Sequence, residues 1–281
     1  MTRFGPVADV LAATWRRFVA DRMTDGAGAL SFYALFSLIP SLLIFAAVMR
    51  ILGRDAADDV ASFARDHGAS SALTEGLRGM LETATQTPSQ GAGAVGLAGL
   101  VTLVYGASKA FTAAGRQLDV IAGVAAPARP VTRRAWDVAW SVVLLALSLV
   151  LLALVFLTGT LVGDLAEAVG LPGLGALAWD LARWPAAGAL GLVIVATVTW
   201  AAPTQRPPAF RPATLGKLFS VGTFLLASAA YGFYVAHLTD YNATYGAFAA
   251  AVILMIWVWI GSTAFLFGAE LDAEIGARRP R

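Results

Sequence analysis

Long apolar runs alternate with shorter polar segments along most of the chain. Six of these runs are long enough to cross a membrane as helices, because about 20 helical residues span a hydrocarbon core of ~30 Å. The pattern therefore predicts an all-α polytopic membrane protein that forms a single domain over residues 1–281. The predicted transmembrane helices cover residues 30–52, 93–115, 138–163, 186–202, 214–236 and 245–268.

The last of these predicted spans carries no charged side chain over its 24 residues, from Tyr245 to Gly268. A long helix on the surface of a soluble protein keeps a polar face, whereas this segment is apolar all round. We therefore interpret it as a helix that lies within lipid. Three acidic residues, Glu270, Asp272 and Glu274, follow it directly.

The polar segments outside the spans predict short amphipathic helices at the membrane surface. In residues 1–29, apolar side chains recur at helical spacing on one face, and arginines lie on or beside the other. This helix either lies on the membrane with its arginines toward anionic headgroups or packs on the mouth of the helix bundle. Residues 53–90 form an acidic, outer helical connection, and residues 174–184 indicate a further short interfacial helix.

Composition supports the membrane assignment and excludes several kinds of site. The chain is 58% apolar and 14% charged, whereas soluble domains are about 45–50% apolar and about 25% charged. Its net charge of +2 is too small to indicate nucleic-acid binding. The chain contains no cysteine, so it has no disulfide, no thiolate metal site and no cysteine nucleophile.

The distribution of basic residues predicts the orientation of the helices. Fourteen Lys and Arg residues fall on the side of the two termini, and four fall on the opposite side. Cytoplasmic loops of membrane proteins carry an excess of Lys and Arg. We therefore expect both termini to be cytoplasmic and residues 53–90 to lie outside.

The sequence contains no recognisable catalytic or metal-binding constellation. Its two histidines, His67 and His237, are far apart, and neither stands at metal-ligand spacing from a second ligand. The motifs of P-loop proteins, serine hydrolases and zinc deaminases do not occur. We therefore expect no enzymatic activity, no metal and no cofactor.

Two positions inside the predicted spans point to another kind of site. Pro40 lies near the middle of the first span, where it removes a backbone hydrogen bond and is expected to kink the helix. The freed carbonyl needs a donor in lipid, and the hydroxyl of Ser37 is one candidate. Lys109 lies inside the second span, where its ammonium either snorkels to the membrane surface or lines a polar cavity.

The acidic end of the last span raises a separate question. Glu270 and Asp272 lie at the C-terminal end of a helix, where the helix dipole disfavours anions, so a basic partner is expected. By depth in the membrane, Arg116 and either Arg278 or Arg279 can reach them. We hypothesise an inward-facing polar cavity at this level. Its candidate residues are Ser31, Tyr33, Ser37, Pro40, Lys109, Arg116 and Glu270.

Segments near the two ends of the chain resemble the YihY/BrkB family of bacterial inner-membrane proteins. The C-terminal segment reads YNATYGAF from Tyr241 and GAELDAE from Gly268, and the first span reads ALSFYALFSLIP from Ala29. Pro203 also fits the family pattern, whereas Gly216 stands slightly later than the family's usual glycine. The resemblance implies six helices in the bacterial plasma (inner) membrane, with cytoplasmic termini. The ribonuclease label that the family has carried conflicts with the missing metal-ligand cluster and with the lack of a soluble domain to hold RNA.

Two functions remain open from the sequence. The first is a transporter or flippase-like permease with an inward-facing polar cavity, because transport sites occur where broken helices meet intramembrane charges. The second is a non-transporting membrane scaffold for envelope partners. The lipid bilayer is the expected partner in both cases, nucleic acid is not, and the substrate and the oligomeric state are open.

Overall fold

Seven long helices and no strand make up the part of the chain that the structure describes. The structure is a computed structural model that describes residues 6–51, 62, 74–75, 78–79, 89–124, 131–156, 174–205, 207, 209–237 and 242–278. The predicted all-α class is confirmed. The helices are α1 (Pro6–Ala20), α2 (Met23–Ile51), α3 (Ser89–Ile121), α4 (Val131–Phe156), α5 (Leu174–Ala201), α6 (Leu215–His237) and α7 (Asn242–Ala277).

Every predicted span overlaps one of the helices α2 to α7. Within the described residues, three segments are long and apolar enough to cross a membrane: Arg133–Val155, Leu181–Ala201 and Leu254–Ala277. The membrane character of the protein is thus supported, while the count of six spans and the cytoplasmic position of the termini stay predictions. Residues 157–163, at the end of the third predicted span, and most of the outer connection 53–90 lie outside the described residues.

Helix α5 differs from the sequence expectation at its start. Residues 174–184 were expected to form a separate interfacial helix, but they are the first turns of α5, which continues through Pro185 to Ala201. Pro185 removes only one backbone donor, which leaves one carbonyl of the preceding turn without its helical partner. Neighbouring groups can satisfy such a carbonyl in a membrane, so the apolar segment after the proline continues the helix.

Helix α7 contacts four other helices that the structure describes. It packs against α6, α2, α1 and α3. Its contact with α6 is close because Gly268 of α7 faces the backbone of Gly216 and the hydroxyl of Ser220. Glycine allows two helix backbones to approach more closely than a larger residue would, which is a common way to pack helices in membranes.

The buried apolar residues gather at one end of the bundle. Helices α2, α4 and α6 begin at this end, and α3, α5 and α7 finish there, as contacts between α4 and α5 and between α6 and α7 show. We call it the charged end, because the ion pairs described below lie there. Its core includes Phe18, Met23, Ala27, Leu30, Phe111, Leu118, Ile121, Ala201 and Leu266.

Candidate functional site

Glu270 of α7 is fully buried at the charged end and lies beside an arginine of the first helix. The Nε atom of Arg17 is 3.4 Å from one carboxylate oxygen of Glu270, and its Nη1 atom is 3.5 Å from the carboxylate of Glu274. Arg17 also donates a hydrogen bond of 3.1 Å to the carbonyl of Ile121, at the end of α3. One guanidinium therefore joins α1, α3 and α7.

The partner of Glu270 differs from the one expected from the sequence. Arg116 has an exposed side chain, and Arg278 instead pairs with Glu274 at 2.7 Å. Arg279 lies outside the described residues. The sequence assigned Arg17 to a surface helix, and only the docking of α1 onto α7 brings it to Glu270. A basic partner is present as expected, but it is Arg17 rather than Arg116 or Arg278.

The ion pair leaves the carboxylate of Glu270 incompletely satisfied. Neither of its oxygens accepts a hydrogen bond from any residue that the structure describes, although both are buried. The Oγ1 atom of Thr263, two turns earlier on α7, is likewise buried without a hydrogen-bond partner in the described part of the chain. A buried polar atom without a partner costs about 1–3 kcal/mol, so such atoms in one helix are unusual.

Asp272 has different partners, and they explain how an anion is stabilised at the C-terminal end of a helix. Its carboxylate accepts a 2.8 Å hydrogen bond from the backbone N–H of Gly216 and a further hydrogen bond from the hydroxyl of Thr214. These groups lie at the start of α6, where a helix N-terminus favours an anion. Lys217 adds an ion pair at 3.6 Å. Asp272 is therefore stabilised by the neighbouring helix rather than by its own.

A buried ion pair lies within α4, and its arginine links this helix to the end of α5. The Nε atom of Arg133 donates to the carboxylate of Asp137 at 3.1 Å, and Thr112 of α3 donates to its other oxygen at 3.1 Å. The Nη2 atom of Arg133 lies 2.7–3.1 Å from the carbonyl oxygens of Ala201, Ala202 and Pro203. This pair was not among the predicted contacts, although the spacing of four residues between Arg133 and Asp137 on one helix is a usable signal.

Asp119 makes a further polar link at the charged end. It is buried near the end of α3, and its carboxylate accepts 2.7 Å hydrogen bonds from the backbone N–H and the hydroxyl of Thr204. The backbone that follows α5 is thereby held against α3. No sequence pattern singles out this contact, because Asp119 lies on α3 and Thr204 follows α5, far away along the chain.

Ser31 and Ser37 both lie on α2, and the hydroxyl of Ser37 does not bond to the carbonyl expected for it. Ser31 is buried, donates to the carbonyl of Ala27 at 2.6 Å and lies 3.3 Å from the hydroxyl of Ser262 on α7. Ser37 donates to the carbonyls of Ala34 and Tyr33, at 2.9 and 3.2 Å. The carbonyl that a proline at position 40 frees lies at position 36, so these two bonds of Ser37 serve other carbonyls.

Lys109 and Arg116 lie on the exposed surface of α3. The ammonium of Lys109 is 5.2 Å from the ring centroid of Tyr105, which is 61% exposed. Lys109 therefore shares an outward-facing surface with Tyr105, while Ser31 faces α7. Whether all the candidate residues line one cavity stays a prediction.

Metal binding was not expected from the sequence. Among the residues that the structure describes, no three His, Cys, Asp or Glu side chains are grouped so that they could hold a metal ion. His67 lies outside these residues, and for His237 only the backbone belongs to them.

Comparison with known proteins gives related sequences along nearly the whole chain. The ribonuclease-like protein YfkH of Bacillus subtilis is 24% identical over 272 residues, which is 96% of each chain. UPF0761 membrane proteins of Azotobacter vinelandii and Azoarcus sp. are 27% and 29% identical, over 99% and 97% of this chain. The chain spans 65% and 64% of the length of these two relatives.

No solved structure matches the chain. A sequence model of the family described as virulence factor BrkB matches residues 14–281, a range that holds both segments on which the resemblance rests and all the ion pairs described above. The resemblance drawn from the two end segments is confirmed. The chain belongs to the BrkB family of helical membrane proteins.

Proposed function

We propose that this protein is a transporter or flippase-like permease whose binding site lies around Glu270 at the charged end. The observation that carries the proposal is the carboxylate of Glu270, which is fully buried while neither oxygen accepts a hydrogen bond from the described residues. Placing an ionisable residue inside a membrane helix bundle costs free energy, and such residues mark ion and substrate pathways. An anion with free acceptor positions suits a ligand that brings hydrogen-bond donors or positive charge.

Neighbouring polar groups support the same location. The hydroxyls of Ser31 and Ser262 meet between α2 and α7. The hydroxyl of Thr263, which has no hydrogen-bond partner among the described residues, lies on the same helix as Glu270. In this proposal the site opens to the cytoplasm of a bacterial cell, Lys109 serves its approach from the exposed surface of α3, and the protein acts without enzymatic chemistry or nucleic acid. The orientation follows from the excess of basic residues on the side of the termini.

The test is the lipid and metabolite profile of a deletion strain that carries plasmid-borne variants. Wild type is expected to restore the profile, whereas Glu270→Gln, which keeps the shape and removes the charge, is expected to fail, and Lys109→Ala to restore it only in part. Asp25→Asn is the matched control, because Asp25 lies at the same end but is 65% exposed. The amount and monodispersity of each purified variant show that it folds.

One result would contradict the proposal. If Glu270→Gln and Lys109→Ala both fold and both restore the profile as wild type does, the charged groups of this site are not used for transport. The non-transporting scaffold is then the better function, since a scaffold depends on its surfaces rather than on a buried carboxylate.

A further inference from the structure

Helix α1 presents three different surfaces along its length. One surface is buried against the bundle and carries Thr14 and Phe18. A second surface is apolar but exposed, with Leu11 at 40%, Trp15 at 58% and Val19 at 56% exposure. The third is polar and exposed and carries Asp9 and Arg16. The exposed apolar residues recur every four positions, which places them along one flank of the helix.

The bundle-facing surface fixes where α1 lies. The ring of Phe18 is 5.6 Å from that of Phe267 on α7. Trp15 belongs to the exposed flank, and one edge of it reaches the bundle, with its ring 6.5 Å from that of Phe267. Arg17 adds the ion pair with Glu270. These contacts hold α1 beside the last turns of α7, within the segment Leu254–Ala277 that is long and apolar enough to span a membrane.

The position of α1 determines what can cover its apolar flank. A helix beside the end of a membrane-spanning helix lies at the boundary between headgroups and acyl chains. Exposed Leu, Trp and Val in that zone bury themselves in lipid, and amphipathic helices in such positions insert about 5–10 Å deep. Tryptophan is enriched at this boundary. Arg16 and Asp9 lie on the surface of α1 that faces water or headgroups.

We propose that α1 is a membrane-seated clamp: its flank of Leu11, Trp15 and Val19 inserts into the leaflet at which α7 ends, while Arg17 holds Glu270 from the opposite side. The partner of this surface is the lipid of that leaflet. The inference does not depend on the proposed transport, because it concerns where α1 lies and what holds it. A change in the lipid around α1 would be transmitted to Glu270 through this one helix of 15 residues.

The test uses site-directed spin labels in the protein reconstituted in lipid nanodiscs. Since the chain has no cysteine, Leu11→Cys, Val19→Cys and, as the matched control, Arg16→Cys each give one labelling site. The ratio of collisions with oxygen, which concentrates in lipid, to collisions with a water-soluble nickel complex is expected to be several-fold higher at positions 11 and 19 than at 16. A ratio equal to that at position 16, or labels shielded from both reagents by another protein chain, would overturn the proposal.

A second measurement tests the clamp itself. In the Val19→Cys protein, Arg17→Ala is expected to increase the mobility of the label, because the ion pair and the bond to Ile121 are lost. Arg16→Ala is the control, because it changes the neighbouring arginine, which is exposed. If Arg17→Ala leaves the label mobility unchanged in a folded protein, Arg17 does not hold α1 and the clamp is refuted, whatever the depth of the flank.

Discussion

Arg17 of the first helix lies 3.4 Å from Glu270 of the last helix, and the two residues close the bundle at its charged end. The arginine is partly exposed and the glutamate is fully buried. The pair is thus asymmetric: Glu270 depends on Arg17 for neutralisation, whereas Arg17 has Glu274 and the carbonyl of Ile121 as further partners.

Replacing Arg17 should therefore destabilise the protein through Glu270. Arg17→Ala is expected to lower the free energy of unfolding in mixed micelles by about 1–3 kcal/mol, because a buried carboxylate loses its ion-pair partner; the loss is smaller than for a fully buried pair because Arg17 is partly exposed. In the double variant Arg17→Ala/Glu270→Gln the loss is expected to be smaller than the sum of the two single losses, because no unpaired charge remains. Strict additivity of the two changes would show that the pair does not interact, and Arg16→Ala serves as the control.

The ion pair between Arg133 and Asp137 is expected to carry more stability. Both side chains are largely buried, and removing one partner of a buried pair costs about 3–5 kcal/mol. Asp137→Ala is therefore expected to unfold at clearly lower denaturant concentration than wild type. Arg134→Ala, which changes the exposed neighbour of Arg133, is expected to leave the transition in place. If Asp137→Ala and Arg134→Ala unfold at the same denaturant concentration, the carbonyl groups at the end of α5 suffice to hold Arg133.

The contact between α6 and α7 should not tolerate a side chain at Gly268. A Cβ atom there would collide with the hydroxyl of Ser220 and with the backbone of Gly216. Gly268→Ala is expected to lower the free energy of unfolding by about 1–3 kcal/mol, the usual cost of overpacking. Gly222→Ala on α6 is the control, because a Cβ atom at that position meets no other atom. Thermal unfolding of the two purified variants compares them directly.

The orientation predicted from basic residues can be tested by cysteine labelling in spheroplasts. Ala209→Cys, in the exposed connection after α5, is predicted to react with a membrane-impermeant maleimide only after permeabilisation. Asp66→Cys, in the acidic stretch predicted to lie outside, should react in intact spheroplasts. The absence of native cysteine means that each signal comes from one site. The reverse pattern would invert the topology and place Glu270 at the outer side.

The candidate site could be predicted only in part, for a physical reason that individual residues show. The odd position of Glu270 and Asp272 at a helix C-terminus was visible in the sequence, because the sign of the helix dipole follows from chain direction alone. Their partners were not. Asp272 is stabilised by the N-terminus of α6, and Glu270 by Arg17 of α1, and both depend on how separate helices dock.

The sequence by itself determined that the chain is helical and membrane-bound, because the length and polarity of each apolar run follow from local composition and the thickness of a bilayer. The tertiary structure decided which charges meet. The docking of α1 on α7 placed Arg17 beside Glu270, and the close approach of Gly216 and Gly268 placed Asp272 at the start of α6. Ion pairing depends on separations of a few ångströms between distant segments, and such separations exist only once the helices are packed.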